Sequence, residues 1–337
     1  MQVVTENNSN KVVLVTGANG FVGRVVVSEL LRYGYQVVAI VRDSTGDIKF
    51  DNRTYASNLQ WRIVRNLNNF IDWEETLIGV NVIIHLAARA HVNEAESQES
   101  TRKYHEVNVQ GTMQLARAAA KSGVSRFIFL SSIGVNGSRS RVPFTEEDPP
   151  NPCGAYAKSK LDAERYLIRI AQQTDMEFVI LRAPLVYGPR APGNFGWLLR
   201  TLQTGIPLPL GKIQNLRSIV ALDNLVNLIV LCSDRDQSSK AANQLFLVSD
   251  GEDISTTVLL RKIAAAGGYT VCLVNFPVKL LRAVARMFGR SGIIDRLVEN
   301  LQVDSTKVRK VLGWTPVVSL DQQLAKIFEG INKKSEH

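Results

Sequence analysis

Tyr156 and Lys160 stand in the stretch Tyr156-Ala-Lys-Ser-Lys160, a spacing that puts phenol and ammonium one helical turn apart on one face. A phenol ordinarily titrates near pH ~10. A neighbouring ammonium stabilises the phenolate, so such a pair can exchange a proton with a substrate oxygen near neutrality. Ser131-Ser132 closes an apolar run over 126–130 that reads as a strand. A hydroxyl there can hold the same oxygen, because ligands of open α/β sheets bind beyond the carboxyl ends of the strands. A second signature is Gly17-Ala-Asn-Gly20-Phe-Val-Gly23. Glycines at this spacing permit a tight turn, a close approach to a pyrophosphate and close helix-on-strand packing, and the following helix start offers unpaired N–H groups to the anion. The second strand ends in Val41-Arg42-Asp43. An acidic residue at that tip accepts hydrogen bonds from the adenine ribose of NAD, whereas an arginine just beyond it pairs with the 2′-phosphate of NADP. Arg42 therefore favours NADP(H), and Asp43 keeps NAD(H) open.

The elements that must position these groups follow a repeating order. Residues 11–16 form a β-branched run, residues 21–33 carry helical spacing, and the glycine turn joins them. Further strands are expected over 36–41, more weakly over 60–64, then over 82–86, 126–130, 177–181 and 244–249. Helices are expected over 101–121, 157–173 and 222–231. Strands alternating with helices imply an α/β fold, a Rossmann-type doubly wound parallel sheet with right-handed crossovers. After Arg182, prolines and glycines break that rhythm, and a smaller mixed substrate lobe with helices over 256–266, 278–287 and 321–331 is placed there. The expected division is 11–183 plus 218–250 for the dinucleotide domain, and 184–217 plus 251–333 for the lobe.

At 337 residues, with 45% hydrophobic and 21% charged side chains, the chain is long enough for a large core plus a lobe, and its composition excludes a disordered or collagen-like protein. The formal charge of +9 is scattered in sequence, which favours an anionic ligand over nucleic acid. Cys153, Cys232 and Cys272 lack disulfide-framework or metal-ligand spacing, so a reducing compartment and no metal are expected. Neither a signal peptide nor a membrane-length apolar run is evident, and a cytoplasmic location follows as the expectation. Lys279, Arg282, Arg286 and Arg290 recur at helical spacing among Leu280, Leu281, Val284, Met287 and Phe288. A lobe helix with a solvated basic face is the commoner meaning of such a pattern, so a membrane surface is not expected as a partner.

Taken together, the sequence resembles the extended short-chain dehydrogenases/reductases, in the group of nucleotide-sugar 4-epimerases, 4,6-dehydratases and 4-keto reductases. The resemblance runs from Val12 to about Trp314. It is carried by the loop from Gly17 to Gly23, His85-Leu-Ala-Ala88, Asn108-Val-Gln-Gly-Thr112, Ser131-Ser132, the Tyr156/Lys160 pair, Arg182-Ala-Pro-Leu-Val-Tyr-Gly-Pro189, Arg217-Ser218 with Asp223-Asn224, and Asp304-Ser-Thr-Lys307 before Leu312-Gly-Trp314. It implies Ser132 as the catalytic hydroxyl, Tyr156 as acid/base, and Lys160 as the residue that binds the nicotinamide ribose and lowers the tyrosine pKa. Asn108 would support the lysine. Cofactor contacts are implied for Gly17, Asn19, Gly20, Phe21, Val22, Gly23, Arg42, Asn66, Leu67, Leu86, Ala87, Ala88 and Pro184, besides Tyr156 and Lys160. Substrate contacts are implied for Ser132, Asn194 and Arg217, with Asp295 and Arg296 also counted, and Arg290 or Arg296 as substitutes for a second diphosphate arginine. The chain departs from the family pattern at Val41 and Asn66, where acidic residues are usual, and at Asn136, where a tyrosine is common.

The expected function is NADP(H)-dependent reduction of the 4-keto group of a UDP-linked deoxyhexosulose, for a polysaccharide precursor, by a cytoplasmic enzyme that can form a homodimer. A UDP-sugar 4-epimerase with bound NAD is the alternative. A catalytically silent nucleotide-sensing or nucleic-acid-binding member of the fold is the distant one.

Overall fold

A computed structural model of the chain describes residues 8–42, 56–65, 73–90, 97–287 and 291–332. Seven parallel strands form the main sheet: β1 (Val12–Thr16), β2 (Gln36–Val41), β3 (Leu59–Ile63), β4 (Val82–His85), β5 (Arg126–Ser132), β6 (Glu177–Ala183) and β9 (Gln244–Leu247), in the order β3-β2-β1-β4-β5-β6-β9. Parallel strands covered on both faces need apolar side chains in both directions, which is why β1 and β2 read as nearly unbroken Val/Ile/Leu runs. The side chains alternate accordingly. Val13 and Val15 enter one core with Val26, Leu30 and Leu31 of α1 (Gly23–Arg32), while Leu14 enters the opposite core. That second core receives Leu115, Ala116 and Ala119 from α2 (98–121) and Ala163 and Leu167 from α3 (Gly154–Ala171). The strand register sets the tips side by side, with Thr16 opposite Ile40 and His85, and Ser132 opposite Ala183. The functional side chains gather at these tips.

The lobe holds structure that its punctuation hid. β7 (Leu185–Tyr187), β8 (Arg217–Ala221) and β10 (Asp253–Ile254) form a small mixed sheet, and α4 (Gly193–Gln203) occupies a region expected to be irregular. The proline and glycine that suggested irregularity, Pro192 and Gly193, lie at the helix start, where both residue types are tolerated. α5 (Leu222–Ser233) returns to pack on the main sheet beside α1. α6 (Thr256–Gly267), α7 (Val278–Met287), α8 (Ser291–Val298) and α10 (Leu320–Asn332) enclose a third core around Phe195, Ile219, Leu260 and Leu324. The helix α9 (Thr306–Leu312) and the following turn pack away from the other C-terminal helices: Val308 and Trp314 sit in the core of the main sheet with α1 and α5, and Trp314 Nε1 donates to Asn227 on α5. Ile219 of β8 packs in the lobe instead.

Two glycines of the first turn are required for distinct reasons. Gly17 has φ +65°, and a Cβ there would also lie 2.9 Å from the Ala87 nitrogen. Gly23 needs space alone: a Cβ would come within 2.1 Å of the Gly17 carbonyl oxygen, which is backbone and cannot swing aside. Gly23→Val should therefore force α1 off β1 and cost about 1–3 kcal/mol of stability, as overpacking does. Denaturant unfolding checks this, and an unchanged midpoint would show that the turn gives way freely.

Candidate active site

A chain of buried hydrogen bonds links the first strand to α3, which carries Tyr156 and Lys160. Backbone N–H groups of Leu86 and Ala87 donate to Thr16 Oγ1 at 3.2 and 3.1 Å, and Thr16 Oγ1 lies 2.7 Å from His85 Nδ1. With those acceptor positions filled, the threonine proton points to Nδ1, leaving Nε2–H for Thr112 Oγ1 at 2.9 Å. Burial pushes the His85 imidazole down to about 3, with Lys160 adding to the effect, so it stays neutral and keeps this tautomer. Thr112 in turn donates to the Asn108 carbonyl at 2.6 Å. Asn108 lies in a π-helical turn, His105–Gln110, that interrupts α2. Such turns are frequent at functional sites. Its amide clamps the Arg89 backbone at 2.8 and 3.1 Å and donates to Ser159 Oγ at 2.9 Å, and Ser159 donates to the Tyr156 carbonyl at 2.7 Å. Asn108 thus supports the helix turn between Tyr156 and Lys160, rather than the lysine directly.

Lys160 is buried, donates to the Leu130 carbonyl at 2.8 Å, and lies 4.4 Å from the Phe129 ring centroid. Burial pulls its ammonium down to about 7, and Glu164 opposes that fall. The Tyr156 phenol moves the other way, pushed up to about 12 by burial and by Tyr104, whose ring centroid is 6.1 Å away. Burial, rather than a neighbouring charge, dominates the phenol in this arrangement. The ammonium is already spent on a carbonyl and a ring face. Ser132 Oγ accepts the Gly134 N–H at 3.1 Å and caps a short turn, Ile133–Val135, at the tip of β5. Its neighbour Ser131 points inward to Glu164, which also receives Arg182 Nε at 3.0 Å and Nη2 at 2.6 Å. Arg182 Nη1 reaches Asn136 Oδ1 at 2.9 Å. The asparagine that departs from the family pattern is thus a buried structural ligand of Arg182.

The glycine loop fits a dinucleotide. α1 starts at Val22 without a side-chain cap, and Gly17 and Gly23 leave the space that a Cβ would fill. Phe21 touches both the main core and the lobe core, and Asn19 is exposed at the turn. Leu86, Ala87 and Ala88 extend β4 beside the loop, and Pro184 is buried between β6 and β7. Arg42 is exposed one residue beyond β2. Asp43, Asn66 and Leu67 lie outside the described residues, as do Phe288 and Arg290.

In the lobe, Arg217 opens β8 and donates to the Glu299 carbonyl at 3.1 Å. Burial, then the nearby Arg296, pulls its guanidinium down to about 10. Two like charges are thus brought together, an arrangement that an anion would relieve. Asp295 lies 3.5 Å from the Arg282 guanidinium and is half exposed. Asn194 is the second residue of α4. Sequence reasoning missed Thr16, Ser159, Glu164 and Arg182 as site-building residues. The signal available for Glu164 was its spacing, one turn beyond Lys160.

A family model described as the NAD dependent epimerase/dehydratase family matches residues 13–245. A UDP-glucose 4-epimerase from Vibrio cholerae is 41% identical over 331 residues, covering 96% of this chain and 97% of its own. The Thermotoga maritima UDP-glucose 4-epimerase with UDP-glucose superposes with a TM-score of 0.77 at 25% identity, over 96% of this chain and 99% of that one. MoeE5 in complex with UDP-glucose and NAD gives 0.76 at 25% identity, with the same coverage.

Lys160 carries a stability signature that needs no substrate. In the folded chain it lies near 7, below the ordinary lysine value of 10.5, so between these limits the unfolded chain binds the extra proton and stability rises with pH. Removing the group with Lys160→Met should abolish that contribution. The stability advantage of the variant should shrink by about 1.4 kcal/mol per pH unit from pH ~7 towards ~10. A constant difference across that window, measured by urea unfolding, would mean that the lysine is buried charged.

Proposed function

Because the chain belongs to the NAD dependent epimerase/dehydratase family, and so is an NAD(P)-dependent nucleotide-sugar enzyme, we propose that it reduces the C4 ketone of a UDP-linked deoxyhexosulose with NADPH. The observation that carries this reading is the tip of β2, where Val41 is buried and Arg42 follows it into solvent. A guanidinium there suits a 2′-phosphate, and a buried valine cannot accept hydrogen bonds from a ribose. When bound, the nicotinamide supplies the hydride. The chain's own residues do the rest. Tyr156 delivers a proton to the C4 oxygen, Ser132 holds that oxygen, and Lys160 orients the ribose. Arg217 and Arg296 receive the diphosphate, and Asn194 meets it from the start of α4. Asp295, within 3.5 Å of Arg282, stays a candidate sugar contact.

A second reading, 4-epimerisation of a UDP-hexose with retained NAD, is favoured by the Vibrio cholerae relative, a UDP-glucose 4-epimerase, and by the NAD in MoeE5. Both readings use the same serine, tyrosine and lysine, so they part only at the cofactor. Arg42→Ala should weaken NADPH binding by roughly 10- to 100-fold, the worth of a charge-assisted contact, and leave NADH within about threefold. Isothermal titration with both cofactors checks it. Equal losses, or a parent that holds NAD more tightly than NADP, would move the assignment to epimerisation.

A further inference from the structure

We infer that Glu164 is a positioning residue, fixing the catalytic helix α3 on the tips of β5 and β6 and thereby the placement of Ser132 and Lys160; this rests on the C4 chemistry proposed above. Glu164 is one helical turn beyond Lys160 and two beyond Tyr156, on the face turned to the sheet. Its side chain is 2% exposed. Within that interior the carboxylate gathers partners from two strands: the Ser131 hydroxyl of β5, and Arg182 Nε and Nη2 of β6 at 3.0 and 2.6 Å. Ser131 precedes Ser132 directly. Arg182 stands two residues before Pro184, and its third nitrogen reaches Asn136, whose amide donates to the Thr145 carbonyl at 3.3 Å. One carboxylate therefore joins the helix, both strand tips and the loop that follows Ser132.

Adhesion of the helix does not need this arrangement. Ala163 and Leu167 already pack α3 into the core, and a buried ion pair is weak evidence for stability because desolvation offsets its attraction. What the pair adds is register at the end of the sheet where the chemistry lies. It also sets charge. Lys160 is faced by Glu164 on its own helix, by neutral His85 on β4, and by the Phe129 ring and Leu130 carbonyl on β5, while Tyr104 on α2 lies against the Tyr156 ring and Arg182 on β6 is held by Glu164. Glu164 is the carboxylate of that set. Its negative charge helps the lysine keep a proton against burial.

The test uses the full chain with selectively labelled lysines, titrated by NMR without cofactor, the Lys160 signal being assigned through Lys160→Arg. In Glu164→Gln, the proton affinity of Lys160 should fall about tenfold, equivalent to one pKa unit. Turnover should fall by roughly 10- to 100-fold while cofactor affinity stays within about threefold, as expected when catalytic geometry is lost rather than binding. Ser131→Ala keeps the charge, so it should leave the titration in place and lower turnover only a few-fold. Should Glu164→Gln fail to fold, the balanced replacement Glu164→Leu with Arg182→Met removes the pair without stranding a charge, and it should fold with turnover still reduced. An unshifted Lys160 titration in folded Glu164→Gln, or parental turnover in either variant, would overturn the inference. A parent inactive on every nucleotide sugar would defeat the proposed function instead, and the titration would still judge Glu164.

Discussion

Burying an ammonium at the end of a parallel sheet is costly, and the site is arranged around that cost. Lys160 has a carbonyl at 2.8 Å, an aromatic face at 4.4 Å and a carboxylate one turn away, yet burial still pulls it down to about 7. The compensating groups come from both strands and helix. β5 supplies the carbonyl and the ring, α3 supplies the carboxylate, and β6 supplies the arginine that keeps the carboxylate in place. The lysine can hold its position only if these elements meet in one register, and the seven-stranded parallel sheet provides it.

The second dependence runs through hydrogen bonds rather than charge. Thr16, His85, Thr112, Asn108 and Ser159 form a line from the glycine-loop strand to Tyr156, and each group accepts or donates where the next requires it. Neutral His85 fixes the direction of that line. The strand before the glycine loop and the helix turn that carries Tyr156 are thus joined by hydrogen bonds across the sheet. The π-helical turn places Asn108 between them, where an unbroken α-helix would rotate it away.

The dinucleotide half was legible from the sequence, because strand periodicity and glycine spacing report backbone constraints that are local. The βα order, the loop from Gly17 to Gly23, and the Tyr156/Lys160 helix are all of this kind. What stayed hidden depends on contacts between distant segments. α4 starts among prolines and glycines that read as irregular, and β8 and β10 are too short to show a period. The approach of Arg296 to Arg217 joins residues far apart in sequence, and nothing local announces it. The approach of Asp295 to Arg282, 3.5 Å apart, is equally silent in the sequence. For the Tyr156 phenol the neighbouring lysine is visible in the sequence, whereas the burial of both groups is not.

Reduction and epimerisation differ in whether hydride leaves the protein with its product or returns to the sugar it came from. The isotope follows that difference directly. Incubation with a UDP-linked 4-keto sugar and NADPH doubly deuterated at the nicotinamide C4 should give a product carrying one deuterium at sugar C4, read by mass spectrometry and NMR, with one NADPH oxidised per product. Interconversion of two UDP-hexoses without added cofactor, and with no deuterium entering the sugar, would contradict the reductive account.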